Sequence, residues 1–162
     1  MKISDKMTTA LNSQIQAEFQ SAYLYLAMSA WFRDQNLDGF AHWMKNQYNE
    51  EVEHAMKMFD YVFERGGRAE LMAIETPQKD WANPKEAFKQ TYEHEQKVTS
   101  LIYGLVDKAM AEKDYATTEF LNWYVSEQVE EEDTASGILA KLEMIGDCMG
   151  ALIALDKELG AR

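Results

Sequence analysis

Asn49-Glu50-Glu51-Val52-Glu53-His54-Ala55 sets two ionisable side chains, Glu51 and His54, on what is otherwise the apolar face of a helix. Phe40, Trp43, Met44, Gln47, Glu51, His54, Met58 and Val62 recur at three- and four-residue steps, the period of one buried helical stripe. Glu and His at i and i+3 project from the same side and can grip one metal ion or bridge it to a neighbour. A lone Glu-x-x-His is common, however, and most instances are surface pairs or a satisfied core histidine. The rest of the chain has to decide between these readings.

Toward the N-terminus, Met7, Leu11, Ile15, Ala22, Leu26 and Ser29 to Phe32 keep the same period, which predicts a first helix from Asp5 to Asp34. Glu18 falls on its buried stripe, and Tyr25 lies seven residues later on the same face. Asn36-Leu37-Asp38-Gly39 is a turn by composition, with Asp38 the expected N-cap of a second helix from Gly39 to Arg65. Gly66-Gly67 stops that helix. From Gly66 to Pro84 the period fails, and Pro77, Asn83 and Pro84 mark a connection long enough to carry the chain along a whole bundle.

Phe88, Tyr92, Glu95, Val98, Ile102, Leu105 and Ala109 mark a third helix, Glu112 to Asp114 a short break, and Leu121, Tyr124, Gln128, Glu131, Ala135, Ile138 and Leu142 a fourth, ended by Gly146. Asp147 is the expected cap of a short fifth helix through Leu159. Its Met149, Leu152, Ile153 and Leu155 suit a docking element, such as one between subunits. The expected fold is all-α: a four-helix bundle with a long crossover between helices two and three and a short C-terminal fifth helix, as a single domain over 1–162.

Every long helix thus carries an ionisable or amide side chain inward at mid-length. Burying an isolated carboxylate costs several kcal/mol, so Glu18, Glu51, Glu95 and Glu131 converging in one core would repel unless something positive lay among them. His54 alone is too little charge; two metal ions would be enough, and oxygen ligands with one imidazole suit iron or manganese better than zinc. Glu18 and Glu51 stand 33 positions apart, as do Glu95 and Gln128, and each second position is followed three residues on by a further ligand type, His54 or Glu131. The two helical hairpins therefore read as copies of one half-site. Glu50, Glu127 and Glu130 lie beside these positions and form a second acidic group suited to an outer metal site, whereas Glu132 and Asp133 read as a solvated acidic face. Tyr25 and Trp123 are candidate redox-active neighbours, and His42 and His94 fall off the ligand stripes as structural or surface residues.

Composition narrows the function. The chain has 162 residues and a formal charge of −12, from 28 acidic and 16 basic side chains, which argues against nucleic acid and anionic membranes as partners and favours cations. No apolar run approaches a membrane span. The single cysteine, Cys148, cannot make an internal disulfide and reads as a small buried hydrophobe. The N-terminal residues lack the apolar core of a secretory signal, so a cytosolic location is expected.

Taken together, Glu18, Tyr25, Glu51-x-x-His54, Glu95 and Gln128-x-x-Glu131 resemble the ferroxidase centre of a bacterial non-haem ferritin, and the stretches 49–55, 92–96 and 123–128 carry the likeness over essentially the whole chain. The resemblance implies that Glu18, Glu51 and His54 bind a first iron and Glu51, Glu95 and Glu131 a second, with Gln128 hydrogen bonding nearby. A third iron would lie at Glu50, Glu127, Glu130 and Glu131. It further implies Fe2+ oxidation by O2 or H2O2, a ferric oxyhydroxide mineral, and a hollow cage of 24 identical subunits with Asp114 or Glu119 near a pore. Glu130 and Val52 stand where a bacterioferritin would offer a histidine and its haem-ligating methionine, so no haem is expected. The rival reading is a non-storing di-iron oxidase or peroxidase of the rubrerythrin type, whose usual cysteine-rich iron domain a single Cys148 does not supply. A cage subunit or metal buffer without redox turnover is the rival from another class.

Overall fold

Five helices, α1 (Asp5–Asp34), α2 (Asp38–Glu64), α3 (Pro84–Ala111), α4 (Tyr115–Ile145) and α5 (Met149–Leu159), make up the regular structure of residues 2–161, the part of the chain that the computed structural model describes. Local chemistry sets most of their ends. Ser4 Oγ accepts from the Met7 N–H at 3.0 Å to open α1, and Asn83 Oδ1 accepts from Glu86 at 2.9 Å ahead of Pro84 at the first turn of α3. Asp114 caps α4 through the Thr117 N–H at 3.1 Å. Gly146, at φ 54°, ends α4 in a conformation that favours glycine.

α1 packs along α2 and α3 along α4, as two hairpins, while α1 also meets α3 and α5 lies across α2 and touches α4. The bundle core divides into two apolar clusters. One gathers Met28, Phe32, Phe40, Met44, Phe88 and Leu142, and the other Met7, Leu11, Met58, Val62, Ile102 and Leu121. The early residues of α2 and of α3 share a cluster, so these two helices run in the same direction, and a chain leaving the end of α2 must travel the bundle's length to start α3. Each fully buried large side chain in these clusters contributes roughly 1.5–3 kcal/mol. Between them lies a polar layer, sealed from both ends.

The crossover carries no helix or strand, and its backbone groups are met instead by α1. Asn12 Nδ2 donates to Arg68 O at 3.0 Å and Asn12 Oδ1 accepts from Glu70 N at 3.2 Å. Gln16 donates to Ala73 O at 3.1 Å, and Gln20 both donates to Glu75 O and accepts from Glu75 N. Three amides one turn apart thus pin an irregular segment that would otherwise leave its polar groups to solvent.

Several expectations are corrected. Asp38 is the first residue of α2 rather than its cap; the preceding Leu37 makes no side-chain cap bond, and the oxygen comes from α5, where Asp156 Oδ1 accepts from the Phe40 N–H at 3.0 Å. Asp147 does not cap α5, which begins at Met149 with Cys148 in the cap position and no side-chain bond. Cys148 is exposed, because it sits in the turn between α4 and α5 outside both clusters. Leu26 is 37 % exposed: the stripe of α1 passes through Tyr25 and Met28 and leaves position 26 on the flank. Along α5, Leu155 and Leu159 are buried, whereas Met149 and Ile153 face out.

Candidate metal centre

The polar layer is built where each stripe reaches its middle turn. α1 contributes Glu18, α2 Glu51 and His54, α3 Glu95, and α4 Gln128 and Glu131, all buried. Glu18 and Glu95 are each 1 % exposed. The carboxylate and imidazole ligand atoms of Glu18, Glu51 and His54 lie within 4.8 Å of one another, the one such group among the described residues. His54 Nδ1 stands 3.6 Å from Glu51 Oε2, too long for a hydrogen bond.

The four carboxylates differ in what they receive. Gln14 Nε2 donates to Glu18 Oε1 at 2.8 Å, Gln47 Nε2 to Glu131 Oε2 at 2.8 Å, and Gln128 Nε2 to Glu95 Oε2 at 3.2 Å, while the Tyr25 hydroxyl donates to Glu95 Oε1. Glu51 Oε2 is buried and has no hydrogen-bond partner. A buried acceptor left unmet costs about 1–3 kcal/mol, and more when charged.

The electrostatics agree. Burial foremost, then the neighbouring Glu95 and Glu18, hold the Glu51 carboxyl well above its ordinary range. Burial also lifts Glu95 to about 7, against the downward pull of its bonds from Tyr25 and Gln128. The Tyr25 phenol is likewise held up by burial and by Glu95 and Glu51. Such a cluster lacks positive charge. Two hard cations would supply it and would take the free oxygen of Glu51, so the donor set fits the di-metal reading.

Outside this layer, between α2 and α4, opens a cavity of about 420 Å³ lined by Glu50, Glu53, Glu127, Glu130 and Glu131, with His54 and Trp123 in its wall. Lys57 Nζ lies 3.7 Å from the centre of the Trp123 ring. The structure therefore brings Glu50, Glu127 and Glu130 to one cavity, but does not converge them as closely as the inner three. His54 Nε2 reaches toward it, 3.9 Å from Glu127 Oε2.

Other candidates fall elsewhere. Asp114 pairs with Arg65 at 3.0 Å in addition to capping α4, and Glu119 is exposed. Glu132 is half-buried and accepts from the Thr99 hydroxyl at 2.5 Å, so only Asp133 of that pair is simply solvated. His94 is hydrogen-bonded to Ser21 at 2.7 Å, and burial, with Lys97 nearby, lowers it to about 4. Four contributors were not expected at the site: Gln14 and Glu53, and Gln47 and Tyr124, which the sequence marks only as stripe positions; the Tyr124 hydroxyl donates to the His54 carbonyl at 2.7 Å. A signal existed for the glutamines, since each lies one helical turn before a stripe carboxylate, Glu18 or Glu51.

Residues 8–145 match the family model of the ferritin-like domain. The chain is 47% identical over 160 residues to a bacterial non-heme ferritin of Bacteroides fragilis, covering 99% of either chain. It is 40% identical to a bacterial non-heme ferritin of Staphylococcus aureus, covering 99% of this chain and 96% of that one. Among solved structures, an open pore ferritin of Archaeoglobus fulgidus matches with a TM-score of 0.99 at 55% identity, over 100% of this chain and 99% of that one.

Proposed function

The chain belongs to the ferritin family, and from that premise we propose that it stores iron: it oxidises Fe2+ to Fe3+ at the buried carboxylate layer and passes the product inward to a ferric oxyhydroxide mineral. In this reading it is one subunit of a 24-subunit cage in the cytoplasm, with Fe2+ and O2 or H2O2 as substrates. The observation that carries the reading is the unpartnered buried oxygen of Glu51 among three further carboxylates and one imidazole. Buried carboxylates cost a bundle stability unless opposite charge compensates them, and cations would do so here.

Glu18, Glu51 and His54 hold the first Fe2+, and Glu51, Glu95 and Glu131 the second, with Glu51 shared between them. Gln128 keeps Glu95 turned toward the pair. Each Fe2+ gives up one electron; O2 with two protons takes both as H2O2, or H2O2 with two protons takes them as water. Carboxylates favour this step because they bind the higher charge more tightly. Tyr25, whose hydroxyl already donates to Glu95, can give one of the two electrons in place of an Fe2+, its proton passing to that carboxylate. Glu50, Glu127, Glu130 and the shared Glu131 hold a third iron in the outer cavity.

The test is to add Fe2+ in air to the metal-free protein and follow ferric absorbance together with the iron retained per particle. Oxidation above the buffer rate, with far more iron retained than the ligand positions can hold, is expected. Glu51→Ala and His54→Ala should slow the oxidation by about tenfold or more. Retention limited to the ligand positions would favour the rubrerythrin type, and oxidation indifferent to both substitutions would sink the mechanism.

A further inference from the structure

Glu131 stands at a partition. It belongs to the buried layer, yet it also lines the outer cavity, so one carboxylate faces two places that compete for it. Gln47 is 1 % exposed and lies one turn before Glu51 on α2; its Nε2 donates to Glu131 Oε2 at 2.8 Å across the bundle. An ionised carboxylate only accepts, so the amide presents its N–H₂ here, and the amide itself does not titrate. We propose that Gln47 is a positioning residue that holds Glu131 toward the inner pair and so sets how that carboxylate is divided between the second inner metal and the outer cavity.

The inference rests on the metal reading proposed above. Gln14 supplies the contrast, because it performs the matching service for Glu18, donating to its Oε1 at 2.8 Å. Outer-shell hydrogen bonds of this kind typically alter metal affinity by about 10–100-fold. Loss of Gln47 should then weaken one inner site and free Glu131 to turn outward, whereas loss of Gln14 should weaken only the site at Glu18.

Redox-inert Zn2+ separates these effects. The assembled protein and its Gln47→Met, Gln47→Glu and Gln14→Met variants are titrated by calorimetry, and Zn2+ positions are read from crystals by anomalous scattering. Methionine keeps the length of glutamine without a donor, and glutamate keeps its shape while repelling Glu131. Both Gln47 variants should bind Zn2+ at Glu95 and Glu131 about 10–100-fold more weakly, gain occupancy among Glu50, Glu127 and Glu130, and leave the site at Glu18 and His54 unchanged. Gln14→Met should do the reverse for the inner pair.

Equal weakening of all sites, unchanged affinities, or failure of both Gln47 variants to fold would each overturn the proposal, since each assigns Gln47 to packing alone. If the unsubstituted protein takes up no Zn2+ in the buried layer, the metal reading itself fails and the inference falls with it.

Discussion

Glu95 shows how much the buried layer costs the metal-free protein. Its carboxyl rises to about 7 mainly through burial, against an ordinary value near 4.5 in the unfolded chain. The folded state therefore holds a proton that the unfolded state has released across that window. Stability falls as pH climbs from about 4.5 to about 7 and then levels, by on the order of 3 kcal/mol from this group. Glu51 is shifted in the same direction. Urea midpoints of the metal-free protein should thus be higher at pH 5 than at pH 8, and Zn2+ should stabilise far more at pH 8, where the metal replaces no proton. A midpoint that rises from pH 5 to pH 8 without metal would contradict this assignment.

At the level of the elements, α5 buries Leu155 and Leu159 and crosses the start of α2 at one very close approach. A Cβ at Gly39 would stand 1.7 Å from the Asp156 carbonyl oxygen, and one at Gly160 would stand 3.2 Å from Gly39 Cα. This approach lets Asp156 cap α2 from a distance of 116 residues in sequence. Asp156→Ala should cost about 1 kcal/mol, the usual worth of a cap. Gly39→Ala should cost about 2–3 kcal/mol by overpacking and should lift α5 away, seen as faster amide exchange across 149–159 with α3 unaffected. Local reading assigned the cap to Asp38 because a capping rule looks only at neighbours, and the true acceptor arrives through the fold. The ends set by residues beside the helix, at Ser4, Asn83-Pro84, Asp114 and Gly146, pose no such difficulty.

At the scale of the whole molecule, several large apolar side chains stand at the surface. Leu71 is 70 % exposed and Met72 and Ile74 also face out on the crossover, as do Tyr23 and Leu26 on α1. Such side chains are available for the contacts between identical subunits that the proposed cage requires. Leu71→Asp combined with Ile74→Asp should leave helix content by circular dichroism unchanged, since neither side chain belongs to the core clusters, but should shift sedimentation from a large shell to small species. A shell of unchanged size would place the subunit contacts elsewhere.

Much of this could be read from sequence because its causes are periodic and local. A 3.6-residue stripe shows which face of each helix is buried, and Glu18, Glu51, His54, Glu95 and Glu131 stand out because a carboxylate on such a stripe has no cheap explanation. What the sequence determined by itself was therefore the helices, the crossover that parallel α2 and α3 demand, and the inward ligand-type residues, though not every buried apolar one, as Leu26 and Cys148 show. Only the tertiary structure decided which side chains meet: Gln47 with Glu131, Tyr25 with Glu95, Asp156 with the start of α2, and one oxygen of Glu51, Oε2, with no hydrogen-bond partner. Those pairings depend on the rotation and height of each helix against its neighbours, which packing sets across the bundle and no stripe encodes alone.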